Sequence, residues 1–340
     1  MEPRSGSGLV LVTGGAGFIG SNLVSRLVGL GYDVRILDDL STGDAGHVDV
    51  AHSKIELLVG DIRSRTDCQN AMQGVDFVYH LAAMSKVKPS LTDPAIATFC
   101  AEVNVLGTAN ILEAAKMAGV KKLVYAASST YYGNAKPPHQ EDMQWVASSP
   151  YAATKYAAEL LTTTYSHVYG LPTLNTRFFM VYGPRQPSTG AYAIVTGLFT
   201  QQQLSGLGLT IEGDGSHYRD FVHVADIVSG LIVSMQSNVS GQSINLGTGQ
   251  AMSVQELADM ISSNQSRIPE RPFDLIGTLA DTCKAKRLLG WEAKLDIREE
   301  MPKLLHLNKV SDERTSLDTR NSAARRMYRV QQSSLAIFGG

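Results

Sequence analysis

Cysteine is scarce in this chain: 340 residues contain three, at Cys68, Cys100 and Cys283, without paired spacing. That excludes a disulfide framework and a cysteine metal cluster, so the three read as small apolar residues of a reducing compartment. His80, His139, His167, His217 and His223 also lack ligand spacing, and no metal is expected. An excess of one charge is missing as well: 30 basic side chains against 32 acidic ones leave a net charge of −2. Nothing in that balance recruits nucleic acid or an anionic membrane, and neither is expected as a partner. No apolar run reads as long enough to span a bilayer. The polar lead-in Met1–Gly8 lacks the apolar centre of a signal peptide, so a cytoplasmic location is expected. Internal repeats and low-complexity linkers are absent too.

What is present is an alternation. Apolar runs over 9–13, 34–38, 55–59, 75–81, 122–127 and 173–178 read as buried strands. Between them, helical patterns cover 18–30, 64–73, 95–118 and 151–169. Alternating strands and helices predict an α/β fold, a doubly wound parallel sheet of the Rossmann type. Beyond about residue 180 glycine and proline become frequent and the elements shorten, which predicts a smaller C-terminal lobe. The expected division is a dinucleotide-binding domain over 8–180 and a substrate lobe over 181–305. That lobe is expected to return to the sheet in places, for example at 243–246. A tail over 306–340 mixes Arg320, Arg325, Arg326 and Arg329 with acidic residues and reads as a solvated helix or disorder.

The stretch Val12-Thr13-Gly14-Gly15-Ala16-Gly17-Phe18-Ile19-Gly20 follows the first apolar run and opens the first helical pattern. A strand, a glycine turn and a helix N-terminus in that order build a cradle for a dinucleotide pyrophosphate. Gly14 and Gly15 supply the tight turn, Gly17 lets backbone approach the phosphates, and Gly20 allows close helix–strand packing. Asp38 ends the next apolar run, about twenty residues on, where a carboxylate bonds a free ribose and repels a 2′-phosphate. The cofactor is therefore expected to be NAD. In an open parallel sheet the ligand lies beyond the carboxyl ends of the strands, so Gly14 to Gly20, Asp38, Asp61, Ala82, Ala83 and Ser128 should share one rim.

Tyr151-Ala152-Ala153-Thr154-Lys155 opens the last helical pattern, and Tyr and Lys four apart lie on one helix face. Such a pair is common on helix surfaces. After a dinucleotide fingerprint it suggests a phenolate base, whose pKa must fall by about 3 from its reference near 10, roughly 4 kcal/mol. A neighbouring ammonium and a nicotinamide cation favour the charged form. Ser128, Ser129 and Thr130 leave a strand at the same rim, and a hydroxyl there can hold the substrate oxygen that Tyr151 deprotonates.

Together these motifs make the sequence resemble the extended short-chain dehydrogenases/reductases, in particular the NAD-dependent nucleotide-sugar epimerase/dehydratase family, over roughly residues 8–300. Further marks are Gly60-Asp61-Ile62, His80-Leu81-Ala82-Ala83, Asn104 in Val103-Asn104-Val105, and Arg219-Asp220-Phe221-Val222-His223. The resemblance implies a transient oxidation at C4 of a UDP-sugar, with Tyr151 as base, Lys155 on the nicotinamide ribose and Ser128 on the same sugar oxygen. It implies that Asp61 and Ile62 flank adenine, that Asn104 supports the cofactor side, and that Arg219 and Arg271 bind the diphosphate. Dehydratases and decarboxylases of the family carry acids just after the catalytic hydroxyl, where this chain has Ser129 and Thr130, so C4 epimerisation is expected. Met180 stands where hexose epimerases have a substrate-binding asparagine, and Thr278 stands at a gate position. Arg185 could meet a uronate carboxylate. The glucose/galactose, N-acetylhexosamine and uronate pairs stay open in that order. A lyase using Glu141 or Asp142, and a non-catalytic NAD sensor, are the alternatives. The resemblance also implies a homodimer formed through helices 95–118 and 151–169.

Overall fold

A computed structural model describes residues 7–309, except 86, 145, 147, 191–192 and 271–274. The first half follows the alternation: β1 (Leu9–Thr13), α1 (Phe18–Gly29), β2 (Asp33–Asp38), β3 (Ile55–Val59), α2 (Arg65–Ala71) and β4 (Phe77–His80). Next come α3 (Val87–Thr92), α4 (Pro94–Ala101), a π-helical turn (Glu102–Gly107), α5 (Thr108–Ala118), β5 (Lys122–Ser128), α6 (Pro150–Tyr169) and β6 (Thr173–Phe178). Then follow β7 (Met180–Tyr182), α7 (Val195–Leu204), β8 (Leu209–Glu212), β9 (Tyr218–Arg219), β10 (Phe221–His223), α8 (Val224–Gln236) and β11 (Gln242–Leu246). The remainder comprises β12 (Met252–Ser253), α9 (Val254–Ile261), β13 (Gln265–Ile268), α10 (Cys283–Leu289) and a helix over 297–309.

Seven strands form one sheet in the order β11-β6-β5-β4-β1-β2-β3, with all neighbours parallel. Strands covered on both faces need apolar side chains on both, and β1 and β5 are buried almost throughout. One core lies between the sheet and α1 and α8, and includes Leu23, Leu27, Ile227, Leu231 and Trp291. The second lies under α2, α5 and α6 and includes Cys68, Ile111, Leu112 and Ala158. The strand order reverses between β1 and β4, so their carboxyl ends open a crevice there.

Two expectations need revision. The helix over 95–118 is interrupted: the buried side chain of Asn104 bonds the backbone of Met84, and the chain around it takes the wider π turn. The continuous helical run Pro94–Ala118 also spans 25 residues with an 18-residue window of mean hydropathy 1.4, long and apolar enough by composition to cross a membrane. Its buried residues Cys100, Gly107, Thr108, Ile111, Leu112 and Ala115 face the second core and α6. About a third of that window, 33%, is buried within this fold. The basic tail residues Arg320, Arg325, Arg326 and Arg329 lie outside the described residues.

Candidate active site

The turn after β1 is closed by Gly14, whose amide donates to Leu37 O at 2.9 Å and whose φ is 69°. The two later glycines of the motif do different jobs. A Cβ on Gly20 would stand 2.1 Å from Gly14 O, so its absence is needed for α1 to pack on the turn. A Cβ on Gly17 would meet only Gly14 O, at 3.3 Å, and otherwise project into the crevice. Gly17 therefore leaves open space at the crevice wall. Gly17 is also the N-cap of α1 without a capping side chain, which leaves the first amides and the positive end of the dipole for an anion. Asp38 is buried at the end of β2; Oδ2 accepts from Ala16 N and Oδ1 from Leu40 N, both at 2.9 Å. Burial raises its carboxyl pKa while those two amides oppose the rise.

The crevice has a volume of about 630 Å³. Among the described residues, its lining includes Gly14, Gly17, Phe18, Ile19, Gly20, Asp38, Asp61, Ile62, Ala82, Tyr151 and Lys155. Glycine cradle, helix N-terminus and buried acid fit the phosphates and a free ribose of a dinucleotide.

Ser149 starts α6: its hydroxyl accepts from Ala152 N at 3.1 Å, and Pro150 takes the first helical position. The helix face then presents Tyr151 and Lys155 to the crevice, both buried. The Ser128 hydroxyl lies near enough to the Tyr151 phenol to oppose the rise of its pKa. Ser128 Oγ is itself 2.9 Å from Thr130 Oγ1. Lys155 Nζ donates to Ala126 O at 2.7 Å and lies 4.3 Å from the Tyr125 ring centre. The titration of the pair runs against the simple expectation. Burial pushes the Tyr151 phenol up to about 12, against the pull of Ser128, and burial takes Lys155 down to about 7. Enclosure by apolar neighbours such as Met84, Cys100 and Phe99 disfavours the charged form of Tyr151, so a downward pull beyond that of Ser128 has to come from what binds in the crevice.

Other expected residues lie elsewhere. Asn104 does not line the crevice; it holds Met84 of the rim through Met84 N at 2.8 Å and Met84 O at 3.1 Å, and donates to Thr154 Oγ1. Arg185 has a left-handed φ of 68°, and its Nη1 donates to Ser25 Oγ of α1 at 3.2 Å. Arg219 is buried and donates to Tyr218 O at 2.9 Å. Thr278 is buried and its hydroxyl accepts from Asp220 N at 3.5 Å, facing the lobe and not the crevice. Met180 is half-buried and packs with the lobe cluster of Tyr182, Phe221 and Met252. Arg271 lies outside the described residues. Glu141 and Asp142 line a separate cavity with Lys284 and Arg287, where Glu141 Oε1 accepts from Asn245 N at 2.8 Å. Ser85, Phe99, Val103, Pro187 and Thr189 line the crevice without having been anticipated. Phe99 and Val103 carried no signal, because an apolar residue on an apolar helix reads as core.

A parallel sheet with a glycine cradle at its topological switch point defines a dinucleotide-binding α/β enzyme. A family model described as the NAD dependent epimerase/dehydratase family matches residues 10–247. A UDP-glucose 4-epimerase of Mycolicibacterium smegmatis is 37% identical over 305 residues, covering 86% of this chain and 96% of that protein. A UDP-glucuronate 4-epimerase of Thermodesulfobacterium geofontis is 33% identical over 326 residues, covering 90% and 98%. The crystal structure of a UDP-glucose 4-epimerase from Thermotoga maritima with UDP-glucose superposes with a TM-score of 0.84 at 30% identity, covering 89% of this chain and 99% of that one. The chain belongs to the NAD-dependent epimerase/dehydratase family. Its cofactor is NAD.

Proposed function

We propose that the protein epimerises a UDP-sugar at C4 through a transient 4-keto sugar. The observation that carries this reading is the pair Tyr151 and Lys155, one turn apart on a buried helix face that lines the same crevice as the glycine cradle, with Ser128 at the end of β5 beside the Tyr151 phenol. Bound NAD supplies the acceptor and donor of the C4 hydrogen and a positive charge that favours an ionised phenol. The remaining work falls to the chain. Ser128 and Tyr151 grip the same sugar hydroxyl, Tyr151 takes its proton, and Lys155 holds the cofactor side of the site. Gly14, Gly17 and Gly20 bring the α1 amides to the phosphates, Asp38 bonds the adenosine ribose, and Asp61 with Ile62 borders the adenine.

A lyase needs an acid beside the catalytic hydroxyl. Ser129 and Thr130 cannot transfer protons near neutral pH, and the Glu141 carboxylate is committed to Asn245 N in a cavity separate from the crevice. Both observations favour the simple epimerase. Among sugars we place glucose/galactose first, then the N-acetylhexosamine pair, then the uronate pair. On the substrate side, Arg219, Thr278 and Met180 belong to the lobe over 181–305, with 8–180 as the cofactor domain. A homodimer through α4–α5 and α6 is supported by exposed apolar side chains on those helices, Leu106 at 52%, Met117 at 81% and Leu160 at 50%.

Proton NMR of the sugar after incubation with a panel of UDP-sugars tests the reading. A C4 epimer of unchanged mass is expected. Loss of water or carbon dioxide, or no epimer from any member of the panel, overturns it.

A further inference from the structure

Tyr151 and Lys155 share their helix stripe with a third polar side chain four residues on, Glu159. Its carboxylate is 4% exposed and accepts four hydrogen bonds. Oε1 takes Arg177 Nη2 at 2.6 Å and Ser243 Oγ at 2.7 Å, and Oε2 takes Arg177 Nε at 3.1 Å and the Tyr131 hydroxyl. Arg177 of β6 also donates to Tyr132 Oη at 2.7 Å and to Glu141 O at 3.0 Å. Its guanidinium lies 5.2 Å and 5.1 Å from the ring centres of Tyr131 and Tyr132. Those two tyrosines directly follow the Ser128–Thr130 turn, and the Ser128 amide points at the Tyr131 phenol oxygen at 3.4 Å.

A buried ion pair is a poor source of stability, since well-packed apolar side chains often do as well in its place. What this pair does supply is geometry: one carboxylate ties together the three elements that carry or border the reacting hydroxyls. We propose that Glu159 is a positioning residue of the active centre: clamped by Arg177, it locks the Ser128 turn, through Tyr131, to the helix face that presents Tyr151 and Lys155. This rests on the reading of Ser128, Tyr151 and Lys155 given under the proposed function.

The lock has an electrostatic side. Lys155 faces Tyr151 and Glu159 on its own helix, Tyr125 from β5 and His80 from β4, with Arg177 of β6 behind Glu159. Burial takes Lys155 down, and Glu159 is the group that pulls it back toward the ammonium. Removing that carboxylate therefore lets Lys155 lose its proton at lower pH.

Two variants test the proposal. Tyr131→Phe deletes a single oxygen of the chain from Glu159 to Ser128. It is expected to fold with a melting temperature lowered by a few degrees, to lower kcat about tenfold with KM altered less than about twofold, and to speed amide hydrogen exchange over residues 125–133. The double variant Glu159→Leu/Arg177→Met replaces the pair by an apolar one. It is expected to fold with NAD retained, while kcat falls by about tenfold or more and the alkaline limb of its pH profile moves to lower pH. A double variant with wild-type kcat and pH profile overturns the proposal, as does Tyr131→Phe with unchanged kcat and exchange. If the double variant does not fold, Tyr131→Phe decides alone. Full activity in Tyr151→Phe would sink the base assignment instead, and the exchange measurement would still judge the lock.

Discussion

The two sides of the crevice are built differently. On the cofactor side, nearly every lining group is the last residue of a parallel strand or the first turn after it: Gly14–Gly20 after β1, Asp38 closing β2, Gly60–Ile62 after β3, Leu81–Ser85 after β4. Backbone does most of the work there, and the ladder of the sheet fixes it. On the lobe side the ladders are only two to four residues long, β7 with β10, β9 with β12 and β8 with β13. A single carboxylate replaces the sheet as organiser. Asp220 accepts from Thr248 N, Thr248 Oγ1, Gly249 N and Ala280 N, at 2.8, 2.7, 2.9 and 3.1 Å, and so ties the strap that carries Thr278 to the strand that carries Arg219. A scaffold of repeated backbone bonds holds one half of the site, and a side chain with four donors holds the other. The cofactor half should resist single changes away from its glycines, while the lobe half should fail at one residue.

Perturbing each half separately sharpens that contrast. The largest effect is expected at the meeting point: Tyr151→Phe should lower kcat by about 10²–10⁴-fold, the usual range for a proton-transferring group, with KM and NAD retention little changed in steady-state assays and by absorbance. Asp220→Asn should cost about 1–3 kcal/mol in urea unfolding, because it removes a carboxylate acceptor from buried donors. Its KM for UDP-sugar should rise while bound NAD stays. Loss of NAD with unchanged KM would break the division into halves. On the other side, Gly20→Ala should destabilise by about 1–3 kcal/mol through overpacking against Gly14 O. Gly17→Ala should leave the melting curve nearly in place but weaken NAD binding, since its methyl group projects toward the ligand. Equal destabilisation by both would contradict the separate roles of the two glycines.

The smallest expected effect concerns pH. His80 lies buried between Thr13 Oγ1 at 2.7 Å and Thr108 Oγ1 at 2.9 Å, and burial takes its pKa from 6.5 to about 3. The Thr108 hydroxyl donates to Asn104 O at 2.6 Å, so His80 Nε2 carries the proton and Nδ1 accepts from Thr13. Because the fold keeps the imidazole neutral, the unfolded chain binds one more proton as pH falls below about 6.5. The contribution of this residue is therefore complete above that pH and lost progressively toward pH 3. Urea unfolding of His80→Gln across that window should show a shallower pH slope than wild type; parallel slopes would rule this linkage out.

Legibility followed the same divide. The glycine turn, Asp38 and the Tyr151/Lys155 stripe could all be read because each is a local pattern with one geometric meaning. Phe99 and Val103 could not, because the helix period marks an apolar face without saying whether it meets core or ligand. The interruption at Asn104 was equally silent: a polar residue inside a helix gives no hint that its amide will seize the backbone of Met84, 20 residues back. Arg185 shows the converse, a charged residue near the site whose partner, Ser25, lies 160 positions away.

The amino-acid order alone therefore settled the α/β alternation, the cradle and the acid at the second strand, since backbone freedom at glycine and side-chain periodicity act over a few residues. Only the folded chain decided which hydroxyls meet, which way Arg185 and Thr278 face, and that Tyr151 and Lys155 both lose favour for their charged forms. Those outcomes depend on burial and on partners brought together from distant strands, and neither is a property of any short segment.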